Sequence, residues 1–224
     1  MVELAWIWQR YQPDAAHVRW FRERAGPTGR RMRKVMVVAH ELGLAERLEC
    51  VRTVVGGTVP HLELMQENPL GKIPTLVLRD RTILYDSPVI CEYFDTLHDG
   101  PKLFPTGPER LTALRRLALG DGMLDIALAS VGERFRPADR RSEPHIALWQ
   151  TKLHACVDAL EGEADALAGS AFSIGHIGIG IALSYLDFRI GDLRWRDGHP
   201  RLAAWHVTFD ARPSVQANLP VDDR

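Results

Sequence analysis

The chain has 224 residues, of which 46% are hydrophobic and 25% are charged, with a formal net charge of -1 and an isoelectric point near 6.8. This balance, without an extended lysine and arginine cluster, argues against a nucleic-acid partner, and no apolar stretch approaches the roughly 20 residues of a membrane-spanning helix. Three widely separated cysteines (Cys50, Cys91 and Cys156) and the absence of a secretion-signal pattern near Met1 predict a reduced chain in the cytoplasm, with no membrane partner.

The first half of the chain alternates helix and strand patterns. Apolar residues between Met32 and Leu42 recur at three- and four-residue spacing before Gly43, which predicts an amphipathic helix with a glycine stop. β-Branched residues over 48–55 predict a strand. Further along, a hairpin is predicted from strands at 75–78 and 82–85, followed by a helix over 87–97.

The second half shows only helical periodicity. Residues 98–108 hold three prolines and two glycines, a composition typical of a linker. Four helices are predicted beyond it: a long one over 111–131 bent at Gly120 and Gly122, one over 146–167, one over 173–189 opened by a Ser173 cap, and one over 200–209 with Pro200 in its first turn. The predicted organisation is therefore an α/β domain over 1–97, a linker over 98–108 and an all-helical domain over 109–224.

Two short segments carry the clearest signal for a binding site. Residues 67–78 read E-N-P-L-G-K-I-P-T-L-V-L, a proline- and glycine-rich loop that runs into a strand and contains the X-Pro bond at Pro74. Asp86 and Ser87 then open a helix, where free N–H groups and the helix dipole favour a bound carboxylate. Together the segments suit a small zwitterionic peptide, although Asp86 and Ser87 also fit an ordinary helix cap.

These motifs resemble the glutathione S-transferase family, whose glutathione site uses an N-P-x-G-K-[IV]-P loop and an [ED]-S pair opening the third helix. The resemblance extends from about residue 32 to 224 and implies a thioredoxin-like N-terminal domain followed by a helical-bundle domain. It implies that Ile73 pairs its backbone with the cysteinyl part of glutathione, that Pro74 is cis, and that Lys72 lies near the glycyl carboxylate. Asp86 and Ser87 would hold the γ-glutamyl end.

The resemblance also implies a function and partners. The chain would be a homodimeric glutathione transferase in detoxification, with glutathione as co-substrate and a small hydrophobic electrophile as second substrate. Met123, Leu124 and Ala127 are candidates for the electrophile pocket, or else belong to the bundle core. No metal is expected, because the histidines lack the H-E-x-x-H type of spacing.

The thiol-activating residue departs from the family pattern. The family places a Ser, Tyr or Cys in a stretch resembling S-P-x-S-P-[FY]-V-R-K-V, whereas both serine positions here are glycine, at Gly26 and Gly29. Thr28 is the nearest hydroxyl and is the candidate catalytic residue; Arg30 or Arg31 could instead stabilise a thiolate by charge. The missing hydroxyl motivates an alternative function, a binding or adaptor protein without turnover.

The charged sequence before this loop leaves two alternatives for the first strand. Either the strand is shifted to about 18–21, or residues 1–31 do not follow the family, and a frameshift is one hypothesis for such a departure. The basic run Arg30, Arg31, Arg33 and Lys34 is interpreted as a solvated helix face or an anion site.

Overall fold

The computed structural model describes residues 17–19, 30–51, 53, 55 and 59–220. The chain divides into two compact units, one spanning Asp99–Pro220 and the other containing the described residues up to His98. Each unit has its own core and is described separately.

In the part that the structure describes, the first unit consists of a small mixed sheet and three α-helices. The strand order is β2-β1-β3-β4, with β1 parallel to β2 and antiparallel to β3, and β3 antiparallel to β4. Its elements in chain order are β1 (His17–Arg19), α1 (Arg30–Glu41), β2 (Glu49–Cys50), α2 (Leu62–Glu67), β3 (Thr75–Val77), β4 (Ile83–Leu84) and α3 (Ser87–Thr96). This arrangement is the predicted thioredoxin-like fold.

A strand does lie near the position that the sequence left open. β1 overlaps the shifted strand predicted at 18–21, and it occupies the centre of the sheet, where Val18 is in register with Cys50 on one side and Leu76 on the other. Residues 20–29, which include Gly26 and Thr28, lie outside the described residues.

The strands are shorter than the β-branched runs predict. Within the described part of the strand expected over 48–55, Glu49 and Cys50 pair with β1, and residues 52 and 54 lie outside the described residues. The hairpin is present, and its turn is held by a hydrogen bond from Thr82 N–H to Asp80 Oδ1 at 2.8 Å and by Arg81 with φ of 68°.

Helix α1 confirms the predicted amphipathic helix and its glycine stop, since it ends at Glu41 and Gly43 has φ of +65°. The interpretation of the basic run as a solvated face is wrong for Arg33 and Lys34, which are 9% and 0% exposed. Lys34 lies three and four residues before Val37 and Val38, which are both fully buried, so it shares their face of the helix.

The second unit is all-helical, as predicted. Its helices are α4 (Glu109–Arg134), α5 (Glu143–Gly162), α6 (Ala164–Gly169), α7 (Ile174–Arg189), α8 (Pro200–Asp210) and α9 (Pro213–Gln216). The single helix predicted over 146–167 is divided at Glu163, whose carboxylate pairs with Arg115 at 2.7 Å and Arg116 at 3.2 Å on α4. No described helix is long and apolar enough to cross a membrane.

Helix α7 is the centre of this unit and is buried from Ile174 to Leu186. It begins with the predicted Ser173 capping box, in which the Ser173 side chain accepts from the backbone of His176 and the His176 side chain accepts from the Ser173 N–H. Helix α8 likewise begins at Pro200, as predicted.

Helix α4 is one continuous helix through the two glycines that were predicted to bend it. A Cβ atom on Gly120 would lie 2.4 Å from the carbonyl carbon of Gly178 on α7, so this glycine permits close helix packing. Met123, Leu124 and Ala127 are at most 2% exposed, which matches the bundle-core alternative.

Candidate functional site

The loop between α2 and β3 is shaped by the buried side chain of Asn68, which is 1% exposed. Its Nδ2 donates to the carbonyl oxygen of Lys72 at 2.9 Å and to Thr75 Oγ1 at 3.1 Å, while its Oδ1 accepts from Leu70 N–H at 3.1 Å. Thr75 Oγ1 also donates to the Lys72 carbonyl at 3.0 Å. Two side chains thus bind the Leu70 N–H and the Lys72 carbonyl, which no strand or helix pairs.

Gly71 supplies the conformation that this loop needs at its tightest point. Its φ of +56° lies in the left-handed region, and a Cβ atom there would also come within 3.2 Å of Met65 Cγ. The next residue, Lys72, has an exposed side chain. The glycine therefore lets the chain reverse while the lysine reaches solvent.

Ile73 anchors the end of the loop through its side chain and leaves its backbone unused. The side chain is 6% exposed and packs with Leu64, with the partly buried Met32 and Val55 against them. The Ile73–Pro74 peptide bond is cis, as the resemblance implied. Among the described residues, neither the N–H nor the carbonyl of Ile73 has a hydrogen-bond partner. These groups are suited to pair with an extended peptide.

The second segment is the N-terminus of α3. Asp86 is the N-cap, and its carboxylate accepts from the N–H of Ser87; the Tyr85–Asp86 peptide bond is cis. Ser87 is fully buried, and its Oγ has no hydrogen-bond partner among the described residues. The ordinary cap function therefore belongs to Asp86, whereas the buried hydroxyl of Ser87 takes no part in it.

The β3–β4 hairpin brings the two segments to the same end of the sheet. Leu76 is in register with Leu84, so the residues just before β3 lie opposite the residues just after β4. Ile73 precedes β3 and Ser87 follows β4, which places the unpaired backbone and the buried hydroxyl at this common end. A helix N-terminus, a hydroxyl and free backbone groups together can bind a carboxylate and an extended backbone.

The end of the central strand β1 points to the same place, because Arg19 is in register with Thr75 at the start of β3. The chain between β1 and α1 contains Thr28, the predicted thiol-contacting residue, which lies outside the described residues. Arg30 and Arg31 form the first turn of α1, and their side chains also lie outside the description. The thiol-activating role stays a prediction.

Sequence reasoning missed Asn68 and Thr75 as positioning residues. Both are polar residues that flank a proline- and glycine-rich loop, which is the setting in which Asn and Thr side chains commonly bind backbone groups. This pattern in the sequence could have identified Asn68 and Thr75. Within the described ranges, no group of three or more His, Cys, Asp or Glu side chains is arranged to hold a metal ion.

Comparison with protein families agrees with the fold and with the motifs. Residues 32–97 match the model described as the glutathione S-transferase N-terminal domain, and residues 143–206 match that of the C-terminal domain. A curated relative, the uncharacterized GST-like protein YibF of Escherichia coli K12, is 35% identical over 158 residues, which cover 69% of this chain and 78% of YibF.

Solved structures extend the similarity to most of the chain. A glutathione transferase family member from Pseudomonas fluorescens Pf-5 with bound glutathione is 38% identical, with a TM-score of 0.85, covering 91% of this chain and 99% of that one. A glutathione S-transferase from Methylobacillus flagellatus with GSH bound is 30% identical, with a TM-score of 0.78, covering 91% and 100% of the two chains.

Proposed function

The chain belongs to the glutathione S-transferase family, and on that premise we propose that it binds glutathione and transfers its thiolate to a small hydrophobic electrophile. Two of the solved relatives carry bound glutathione. In the proposed reaction the thiol loses its proton and the sulfur forms a bond to an electrophilic carbon. A leaving group then departs with its bonding pair, or a proton completes the addition.

One observation carries this proposal: the hydroxyl of Ser87 is buried at a helix N-terminus without a hydrogen-bond partner among the described residues. A buried unpaired polar group is costly, and a bound carboxylate at this position would satisfy it. The free backbone groups of Ile73 at the same end of the sheet support a peptide ligand over a simple anion.

We propose an assignment of the parts of glutathione to residues, which this geometry and the family resemblance support. Asp86 and Ser87 would bind the γ-glutamyl end, the backbone of Ile73 before cis Pro74 would pair with the cysteinyl part, and Lys72 would attract the glycyl carboxylate. Lys72 has an exposed side chain, which suits a long-range charge contact at the rim of the site.

Calorimetric titration of glutathione into the purified protein tests the proposal. We expect Ser87→Ala to weaken binding at least tenfold, because a hydrogen bond to a charged group contributes about 1.5–3 kcal/mol. Ser130→Ala is the matched control, since Ser130 is also fully buried with an Oγ that has no partner in the described part of the chain, yet lies on α4 of the other unit.

The control variant should bind glutathione like the unmodified protein. Equal affinities for Ser87→Ala and the unmodified chain would contradict the site assignment. So would a failure of the unmodified chain to bind glutathione at millimolar concentration.

A second candidate function is a binding or adaptor protein that keeps the glutathione site without turnover. This alternative rests on Gly26 and Gly29, which occupy the positions of the two serines in the family pattern. Turnover of an activated chloroarene that is lost in Asp86→Ala would favour the transferase. Glutathione binding with no turnover of several electrophile classes would favour the adaptor.

The same proposal includes a homodimer, which the apolar surface of α2 supports. Val59, Leu62 and Leu70 are 79%, 70% and 60% exposed, and Met65, 39% exposed, lies one turn from Leu62 on the same face of the helix. Large apolar side chains exposed on one helix face, as Leu62 and Met65 are, are typical of an interface with another chain. The cytoplasm is the proposed location, because all three cysteines are free thiols.

A further inference from the structure

We propose that His61 is a positioning residue for the loop over 68–74, because its side chain caps the short helix α2 that leads into this loop. The role rests on the proposed function, in which the backbone of Ile73 pairs with glutathione. His61 is half-buried and immediately precedes α2 (Leu62–Glu67). It acts through the helix, without touching the ligand.

His61 is the N-cap of α2, and its ring is the hydrogen-bond acceptor of the cap. The Nδ1 atom accepts from the N–H of Leu64 at 3.1 Å, and the His61 carbonyl oxygen accepts from the N–H of Met65, also at 3.1 Å. A side chain that accepts from the third residue of a helix has the geometry of the caps made by Ser, Thr, Asp and Asn. The neutral ring therefore carries its proton on Nε2, and Nδ1 takes the place of the oxygen found in most caps.

Helix α2 is too short to be stable through its own backbone hydrogen bonds. It has six residues, and Leu64 is the one among them whose side chain is buried. Helices shorter than about 12 residues are marginal in water, and the first four N–H groups of a helix lack partners within it. One additional satisfied N–H is a large share of the total in so short a helix, so the cap raises the fraction of molecules in which α2 is formed.

Leu64 connects the cap to the loop over 68–74 through two contacts. Its carbonyl oxygen accepts from the N–H of Asn68 at 2.8 Å, and its side chain packs with that of Ile73. Asn68 in turn donates to the Lys72 carbonyl at 2.9 Å. The residue that receives the cap thus contacts both ends of the loop, so an ordered α2 favours one position of the Ile73 backbone.

Loss of the cap weakens ligand binding by reducing the fraction of molecules in which the loop is formed. The apparent dissociation constant is the intrinsic one divided by the fraction of binding-competent molecules. Removal of a side-chain cap typically lowers the equilibrium constant for helix formation about fivefold. A similar loss of glutathione affinity is therefore expected when His61 can no longer accept from Leu64.

Replacement of His61 by each of the two amide residues separates the cap from other roles of the ring. Asn places its amide oxygen close to the position of Nδ1 and is among the best N-cap residues, whereas Gln places it one methylene farther, near the position of Nε2, and is not. In calorimetric titration, His61→Asn should bind glutathione like the unmodified chain, and His61→Gln should bind it about fivefold more weakly. His154→Gln is the matched control, because it makes the same change at an exposed residue of α5 and should leave the affinity unchanged.

Hydrogen exchange in the absence of glutathione tests the cap independently of the proposed function. Backbone amides over 62–73 should exchange at least threefold faster in His61→Gln than in His61→Asn or the unmodified chain. Amides of α5 should exchange at the same rate in all three, which shows that the variants are folded.

Three results would overturn the positioning role. These are equal exchange over 62–73 in His61→Asn and His61→Gln, equal glutathione affinity in the two variants, and tighter binding by His61→Gln than by His61→Asn, which would assign a ligand contact to Nε2. If the unmodified chain does not bind glutathione, the proposed function fails, whereas the exchange comparison still decides whether His61 orders the loop.

Discussion

At the scale of single residues, the side chain of Asn68 holds the loop on which the proposed peptide contact depends. It makes three hydrogen bonds within residues 68–75, to Lys72, Thr75 and Leu70. A buried amide in this position determines where the backbone of Ile73 lies without itself touching a ligand. It is therefore a positioning residue rather than a catalytic one.

We expect Asn68→Ala to destabilise the protein and to weaken glutathione binding. The change leaves the Leu70 N–H without its acceptor and removes a donor from both the Lys72 carbonyl and Thr75 Oγ1, at a cost of about 1–3 kcal/mol for buried groups of this kind. Urea unfolding gives the stability, and titration of glutathione gives the affinity.

Asn218→Ala is the control for this experiment. Asn218 makes one side-chain bond, from Nδ2 to the Ser214 carbonyl at 2.7 Å, and lies in the helical unit. It should cost less stability and leave glutathione affinity unchanged. The positioning role of Asn68 would be wrong if both variants bound glutathione like the unmodified chain.

His176 places a titratable ring where the capping box of α7 needs an acceptor. Its Nδ1 accepts from Ser173 N–H at 3.1 Å, and its Nε2 lies 3.0 Å from the Leu167 carbonyl, so the neutral ring with its proton on Nε2 satisfies both contacts. Burial lowers the pKa of His176 below its ordinary value. Protonation would put a second proton on Nδ1, facing the Ser173 N–H.

We expect His176 to make the free energy of unfolding fall as the solution becomes more acidic. The unfolded histidine takes up a proton near pH 6.5, whereas the folded one resists it, so the stability present above pH 6.5 is lost as the pH falls. The slope from one such group reaches at most about 1.4 kcal/mol per pH unit.

Urea unfolding between pH 7.5 and 5.5 measures this slope in the unmodified chain and in His176→Asp. An aspartate at this position keeps an acceptor for Ser173 N–H and remains ionised over the range, so the variant should show a smaller slope. Identical slopes for His176→Asp and the unmodified chain would contradict the argument.

At the scale of secondary-structure elements, the helical unit depends on the close approach of α4 and α7. A Cβ atom at Gly120 would lie 2.4 Å from the carbonyl carbon and oxygen of Gly178, and one at Gly175 would lie 2.8 Å from the Ala113 carbonyl. These neighbours are backbone atoms, which cannot move aside as a flexible side chain would. The glycines therefore set the distance between the two helices.

We expect Gly120→Ala to destabilise the helical unit by about 1–2 kcal/mol. Forcing an extra carbon into packed helices costs about 1–3 kcal/mol and sometimes more, which exceeds the gain of up to about 1 kcal/mol in helix propensity. Urea unfolding monitored by circular dichroism gives the change in free energy.

Gly122→Ala separates the effect of helix packing on stability from the effect of helix propensity. Gly122 lies on the same helix, but no atom is within 4 Å of an added Cβ. This variant should be as stable as the unmodified chain or more stable by up to about 1 kcal/mol. A Gly120→Ala variant as stable as Gly122→Ala would disprove the close-packing role.

At the scale of the whole molecule, the proposed dimer is the property most open to a direct test. Leu62 is 70% exposed at the start of α2, one turn from Met65 on the same face of the helix. A charge introduced there would be buried on association at a cost of several kcal/mol.

In light scattering at micromolar concentration, we therefore expect the unmodified chain to have the molar mass of a dimer and Leu62→Arg to have that of a monomer. Val207→Arg, at a residue that is 65% exposed on α8, should leave the dimer intact. A monomeric unmodified chain would remove the dimer from the proposed function. A Leu62→Arg variant that remained dimeric would show that the dimer interface does not include Leu62.

Local patterns predicted most elements of the fold, because each depends on residues a few positions apart. The stop at Gly43, the cap at Ser173 and the first-turn Pro200 are short-range effects, and all three are present. Strand ends were predicted less well, since a strand ends where its partner ends. The hairpin strands, predicted over 75–78 and 82–85, span Thr75–Val77 and Ile83–Leu84.

The sequence by itself determined the family, the two kinds of fold and the two motifs proposed to bind glutathione, because these depend on residue types at fixed spacing. Only the tertiary structure distinguished the packed Gly120 from the open Gly122 and showed that the side chain of Lys34 is buried. It also showed that Asp86 makes the helix cap, while the hydroxyl of Ser87 has no partner among the described residues. These outcomes depend on which atoms from distant parts of the chain come within a few ångströms, and residue spacing along the chain carries no such distances.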